Sequence, residues 1–232
     1  MTESGESSLA GIDLLSGLSS TERREIEQAC SWKRFIAHQQ IIDRNSQSRG
    51  VYMIVEGQVR IVNYALSGRE VTLGELPEGS YFGELAAIDG RPRSARVIAL
   101  TNSLIAALPG SKFLEMLGNH PSIALKVLVQ LASVVRDSNE RIMDLSTLGA
   151  NNRGHAELLR QARENMDGDD RAVIKPNPLH GDIASRVSTT RETVARVMNN
   201  LARRAIVKRT KEALIIIDVE KLHAMVQEVR GE

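Results

Sequence analysis

Asp182-Ile183-Ala184-Ser185-Arg186-Val187-Ser188-Thr189-Thr190-Arg191-Glu192-Thr193-Val194-Ala195-Arg196-Val197-Met198-Asn199-Asn200-Leu201 is the stretch on which the reading of this chain turns. Ile183, Ala184 and Val187 share one helix face, and Val194, Val197 and Leu201 share a second. The polar break Ser188-Thr189-Thr190 separates the faces and supplies an N-cap for the second helix. Two short helices across a tight turn are helix-turn-helix geometry. Arg191 and Glu192 then fall in the first turn of the second helix, with Arg196 about one turn further on. In a major groove an arginine there reads guanine and a glutamate reads the cytosine amino group. Ser188 and Thr190, at the mouth of that helix, complete the expected DNA-contacting set. From Asp182 to Lys211 eight basic residues face two acidic ones, a local +6 within a chain of net +1. A solvated amphipathic helix pair would explain the two faces but not the charge excess.

Working outward, the composition excludes several classes. At 232 residues the chain allows one or two domains, and 42% hydrophobic residues supply a sizeable core. With 30 basic residues against 29 acidic, any nucleic-acid surface is a local patch. Aromatics at 3% are too few for a single-strand binder built on stacking. Cys30 is the sole cysteine, which rules out an internal disulfide, a four-thiolate zinc site and an iron–sulfur cluster held by this chain's cysteines alone. The first residues, Met1 to Ser8, lack the basic and apolar regions of a signal peptide. No near-apolar run approaches the roughly 18 residues of a membrane span. A cytoplasmic location without membrane contact is the expectation.

Upstream, three textures follow one another. Leu14 to Cys30 reads as short helices, with a start signal at Ser20-Thr21-Glu22 and an apolar face of Leu18, Ile26 and Ala29. From about Trp32 to Leu108, short apolar runs (Val51 to Val55, Val59 to Val62, Val71 to Leu73, Val97 to Leu100, Leu104 to Leu108) alternate with glycine turns, which suggests a β-barrel or jelly roll. From Ser111 the texture is helical, and His120-Pro121 opens a helix that runs to Leu148 without another proline or any glycine. Leu128, Leu131, Val135, Ser138, Ile142 and Leu145 follow a 4-3 heptad along it. A helix of about 28 residues is about 42 Å long, long for one small domain, so pairing with a second copy is expected. Ser138 is then a tolerated small residue in the seam or a register device. Gly149 to Asn152 reads as a hinge or linker, Ala156 to Asn165 as a second helix, and Met166 to Asp170 as an acidic loop. Beyond the turn at Pro176 and Pro178, two or three short helices and a terminal hairpin are expected, with Leu214 to Asp218 a strand candidate.

A second motif is Phe82-Gly83-Glu84-Leu85-Ala86-Ala87-Ile88-Asp89-Gly90-Arg91-Pro92-Arg93-Ser94-Ala95. A glycine turn, a carboxylate, a short apolar turn and Arg-Ser-Ala can form an anion pocket from backbone N–H groups, the Arg93 guanidinium and the Ser94 hydroxyl. Glu84 can accept from a sugar hydroxyl. A glycine turn beside a surface Arg–Glu pair fits these residues equally well.

With both motifs in place, the chain resembles the Crp/Fnr transcription regulators, cyclic-AMP receptor branch, from about Leu14 to Val219. The resemblance implies an α+β chain with three parts. They are a cyclic-nucleotide-binding β jelly roll with N-terminal helices (1–118), a dimerisation helix and hinge (119–150) and a winged helix-turn-helix domain (151–232). It implies that Glu84 holds the ribose 2′-hydroxyl and that Arg93 and Ser94 hold the cyclic phosphate, with backbone help from Gly83, Leu85 and Ala95. It places Ser138 and Asn139 against the base, where relatives carry Thr-Ser. Asn offers a donor and an acceptor, so cAMP is the expected allosteric ligand and cGMP, as in Clr-type members, stays open. Arg191 to Arg196 match the family's recognition helix. The implied partners are double-stranded DNA with TGT or TGTGA-like half-sites, a second copy of the chain and RNA polymerase. Arg93→Ala is expected to abolish nucleotide-dependent DNA binding and to spare the fold. Gly154 stands where relatives carry an apolar residue. His38, His120, His155, His180 and His223 are scattered, so each reads as structural or surface, and no metal is expected. Cys30 reads as a buried thiol and Asp169-Asp170 as a solvated loop. Hydrolysis of a cyclic nucleotide wants a metal cluster or an activated nucleophile. No such cluster is legible, so a regulator rather than an enzyme is expected.

Overall fold

The computed structural model describes residues 8–230. The chain divides into two compact units, with the division inside the long helix between Val134 and Val135.

The first unit opens with two short 3₁₀ turns, Leu9–Gly11 and Asp13–Leu15, and α1, Ser20–Ala29. The start signal lies one residue earlier than the sequence suggested. Ser19 is the N-cap, and its hydroxyl and the Glu22 carboxylate form a reciprocal capping box. Eight strands follow: β1 Ser31–Phe35, β2 Gln40–Ile42, β3 Val51–Glu56, β4 Gln58–Tyr64, β5 Glu70–Pro77, β6 Tyr81–Phe82, β7 Arg96–Ala99 and β8 Ser103–Leu108. The short helix α2, Glu84–Asp89, interrupts them after β6. The strands form two antiparallel four-stranded sheets, β1-β8-β3-β6 and β2-β7-β4-β5. This is the jelly roll that the glycine-punctuated runs announced. Between the sheets lie Phe35, Ile42, Ile54, Val59, Phe82, Val97, Ala99 and Ile105. The other face of the first sheet packs Val51, Met53, Ala106 and Leu108 against Leu9, Leu15, Phe113 and Ile123. Phe113 belongs to α3, Gly110–Asn119, and Ile123 to the long helix α4, Pro121–Thr147. Burial of each such side chain contributes about 1.5–3 kcal/mol.

The second unit contains the end of α4, then α5 Ala150–Glu164, β9 Ala172–Ile174, α6 His180–Arg186, α7 Arg191–Arg203, β10 Val207–Arg209, β11 Leu214–Ile216 and α8 Val219–Arg230. The strands pair as a small antiparallel sheet in the order β10-β11-β9, the wing beside the two central helices. Two expectations are corrected here. Ala150, Asn151 and Asn152 are the first turn of α5, not a linker, because Gly149 acts as the N-cap and Leu148 is buried in the unit's core. The hairpin β10–β11 is not terminal, because Leu222 and Val226 give the last segment a buried face and draw it into α8.

Gly154 faces the same core. A Cβ built on it would meet both Val197 methyls at 3.4 Å, an ordinary contact, so the space between α5 and α7 admits a methyl and nothing in the packing requires glycine here. Asp144, on the last turns of α4, is 6% exposed. It accepts from Arg160 at 3.2 Å and from Arg230 at 2.5 Å. Glu157 on α5, 1% exposed, pairs with Arg160 and with Arg186 at 3.6 Å. Removing one partner of a buried pair strands the other charge, so these contacts fix the end of α4 to its neighbours more firmly than surface pairs would.

Candidate functional site

The loop that leads into α2 needs a backbone turn that only glycine takes easily. Gly83 has φ 88° and forms the helix's N-cap, and Gly90 at φ 69° closes it. A Cβ on Gly83 would also lie 2.7 Å from Arg93 Nη1. Between these glycines the sequence places Glu84 at the start of the helix, and Arg93 lies just beyond its end. Arg93 is 3% exposed. Its Nη1 and Nη2 donate to the Gly83 and Gly50 carbonyls, each at 2.7 Å, and Nε donates to Ser48 Oγ at 3.1 Å. The guanidinium carbon stands 5.4 Å from the Tyr52 ring centroid, a cation–π contact. Tyr52 itself stacks on Phe82 with centroids 5.2 Å apart and planes 8° from parallel. A guanidinium carries five N–H donors, more than the three acceptors named here engage, and Tyr52 also bears on the group.

Burial holds the Glu84 carboxyl above the usual glutamate range, against the opposing pull of backbone hydrogen bonds and Arg93. Burial also lowers the pKa of Arg93, with Tyr52 and Glu84 opposing. Leu85 is exposed, Ala95 buried and Ser94 exposed. The Ser94 carbonyl accepts from Asn63 Nδ2 at 3.3 Å. The structure thus brings Gly83, Glu84 and Arg93 together, with Leu85, Ser94 and Ala95 adjoining in the chain. Ser138 and Asn139 are exposed on α4, in the second unit. Sequence reasoning missed Ser48, Gly50, Tyr52 and Asn63: Tyr52 and Asn63 come in on the paired strands β3 and β4, and Ser48 and Gly50 on the loop that leads into β3. The only hint was that Tyr52 is one of seven aromatic residues in the chain.

In the second unit, Thr190 caps α7, its hydroxyl accepting from Thr193 N at 3.2 Å. Ser188 sits in the left-handed region at φ 51°, and Thr189 N closes the turn onto Ala184 O at 3.0 Å. Arg191, Glu192 and Arg196 are all exposed on α7. The Thr190 hydroxyl, first, and the neighbouring Arg191 and Arg196 charges hold the Glu192 carboxyl below its usual range. Arg196 Nη2 donates to Thr193 Oγ1 at 3.3 Å. An open cleft of about 810 Å³ runs beside the helix, lined in part by Asn151, Arg196, Asn199, Arg203 and Arg204. α7 buries Val194, Val197, Met198 and Leu201 in the unit's core, and exposed arginines on the opposite face of such a helix can enter a major groove. Among the described residues no group of three or more His, Cys, Asp or Glu is placed to hold a metal ion, and no helix is long and apolar enough to cross a membrane.

Known proteins agree with this arrangement. The family model "Cyclic nucleotide-binding domain" matches residues 32–120 and "Crp-like helix-turn-helix domain" matches 155–225. The Thermus thermophilus protein named Cyclic AMP receptor protein is 30% identical over 164 residues, 69% of this chain and 71% of that protein. The chain belongs to the Crp/Fnr family. A further Crp relative, the Escherichia coli cAMP-activated global transcriptional regulator CRP, is 25% identical over 190 residues, 81% of this chain and 90% of the relative. A solved CooA variant from Carboxydothermus hydrogenoformans shares the fold, with TM-score 0.79 and 20% identity over 92% of this chain and 94% of its own. This Crp/Fnr member is a DNA-binding transcription regulator with a cyclic-nucleotide-binding domain.

Proposed function

We propose that the chain is a cyclic-nucleotide-activated regulator that binds palindromic TGT(GA)-type DNA as a homodimer. The observation that carries the ligand half is the buried Arg93 guanidinium, wrapped against the Gly83 carbonyl with the Glu84 carboxyl beside it. A buried cation beside an acceptor suits the phosphate and the ribose of one small ligand. Gly83, Leu85, Ser94 and Ala95 supply backbone and hydroxyl contacts, and Ser138 with Asn139 meet the base. The names of the two curated relatives support cAMP, with cGMP the other ligand to test. The dimer half rests on α4, where Leu128, Val135, Ile142 and Leu145 are 61%, 58%, 59% and 49% exposed in the single chain. An apolar heptad stripe left in water is stabilised by a second copy. Residues 1–118 sense, 119–150 pair and 151–232 read DNA through Arg191, Glu192 and Arg196, with Ser188 and Thr190 at the backbone. Nucleotide that binds the active state more tightly shifts the population toward it. Two recognition helices about 34 Å apart then fit successive major grooves. The same reading makes the protein a cytoplasmic regulator that engages RNA polymerase and has no catalytic or metal centre.

A second reading, a barrel that senses another effector or none, draws support from Arg93's three internal acceptors. One experiment separates the two: titration calorimetry with cAMP and with cGMP, then a mobility-shift assay on a TGTGA palindrome with and without nucleotide. Saturable heat from either nucleotide and a nucleotide-dependent shift support the first. A shift that ignores both nucleotides, with no heat, supports the second.

A further inference from the structure

We infer that Arg153 is the positioning residue that passes the state of the long helix to the recognition helix. The inference rests on the regulator reading above and concerns contacts within the second unit. Arg153 lies in the first turns of α5 and is partly buried. Its Nη1 donates to the Leu148 carbonyl at 2.9 Å, just past the end of α4. Its Nε donates to the Val187 carbonyl at 2.9 Å and Nη2 to the Ser188 carbonyl at 3.3 Å. One planar group therefore holds a carbonyl at the end of the long helix and two carbonyls of the turn that aims α7. Helix C-termini leave such carbonyls without partners, and a cation suits their negative end.

Two further observations make this a link rather than a local cap. Ser188 carries φ 51°, a conformation uncommon for a residue with a side chain, so its carbonyl direction depends on what holds it. The end of α4 has no slack. Leu148 is 4% exposed in the unit's core, and Asp144 is clasped by Arg160 and Arg230. Only Leu148 and Gly149 separate α4 from α5. A movement of α4's last turn must therefore either carry Arg153 and the turn before α7 with it or break the fork. A lysine, as a compact point charge, cannot hold three spread carbonyls as a planar guanidinium does.

The test uses the full chain with Arg153→Gln and Arg153→Lys. Three quantities are measured: operator affinity with and without saturating cAMP, cAMP affinity without DNA, and amide hydrogen exchange. Allosteric gains are commonly about 5- to 150-fold, and in both variants the wild-type gain should collapse toward onefold with cAMP affinity unchanged. Exchange should rise together in the last turn of α4 and in residues 187–190. If Arg153 only props the fold, DNA affinity falls equally with and without nucleotide and the gain stays at its wild-type value, which overturns the inference. If the wild-type protein shows no nucleotide-dependent gain, the cyclic-nucleotide-activated reading fails, and the exchange data still decide on Arg153. A paired rise sustains the link, and a rise confined to one segment overturns it. Arg153→Lys keeps the charge, so it serves if the Gln variant does not fold.

Discussion

Replacing Arg93 separates the two tasks that fall to this one side chain. Arg93→Ala removes the bonds to the part-buried Gly83 and Gly50 carbonyls, which water can then reach. At a net worth of about 0.5–1.5 kcal/mol for each bond, the cost is about 1–3 kcal/mol, and the lost contact over Tyr52 adds about 0.5–2 kcal/mol. Set against a domain stability of about 5–15 kcal/mol, the alanine variant keeps a folded jelly roll with a narrower margin, so its fold must be checked beside its affinity. Arg93→Lys is the cleaner probe, since an ammonium keeps the charge and one carbonyl bond. Losing one charge-assisted bond to a phosphate is worth about 1.5–3 kcal/mol, so cAMP affinity should fall about 10- to 150-fold. The assay is titration calorimetry on protein whose fold is checked by tryptophan fluorescence. Trp32 is the sole tryptophan and lies in the first unit, so its emission reports on the jelly roll. A folded Arg93→Lys protein with wild-type cAMP affinity would refute the phosphate assignment.

The Glu84 carboxyl titrates above the usual glutamate value because it is buried. If its ionised form accepts from the ribose, cAMP affinity is full above that raised midpoint and falls as pH drops through it. Glu84→Gln should flatten the profile, and a profile that the substitution leaves unchanged sinks the role. Gly154→Ala puts a methyl at ordinary contact distance from Val197 and gains about 1 kcal/mol of helix propensity. Thermal circular dichroism should show the second unit's midpoint rise by about 4–8 °C, whereas Gly154→Leu should overpack it at a cost of about 1–3 kcal/mol. Arg196→Ala should cost about 1–3 kcal/mol at the specific site and relax one base position. Equal weakening on every DNA sequence in a shift assay would make Arg196 a phosphate contact instead.

The helix-turn-helix was legible because periodicity, cap and charge all lie within one short stretch, and Thr190 does cap α7. The long helix was legible because Pro121 opens it and its interior holds no breaker. Strands β3, β4, β7 and β8 showed as apolar runs. β1 carries Lys33 and Arg34 and is mostly exposed, and β6 is two residues long, so neither leaves a periodic mark. Gly149 to Asn152 looked like a linker from its glycine and asparagines. Packing of α5 overrode that weak local preference. At the site, Glu84 and Arg93 were found within one cassette. Gly50 and Ser48, which hold Arg93, lie 43 and 45 residues away in sequence, and no local pattern marks a partner at that distance.

α4 starts rooted in one interior through Ile123 and Val127, and just past its other end Leu148 enters a different one. Every residue from 132 to 140 between them is exposed in the single chain. Outside the proposed seam positions Val135 and Ser138, substitutions at such solvent-facing positions usually shift stability by no more than about 0.5 kcal/mol. Asn139 lies inside this span and outside the seam. The free face of this stretch of rod can therefore drift through mutation, trying new chemical tastes one residue at a time, while neither globule that it is anchored in has to be rebuilt.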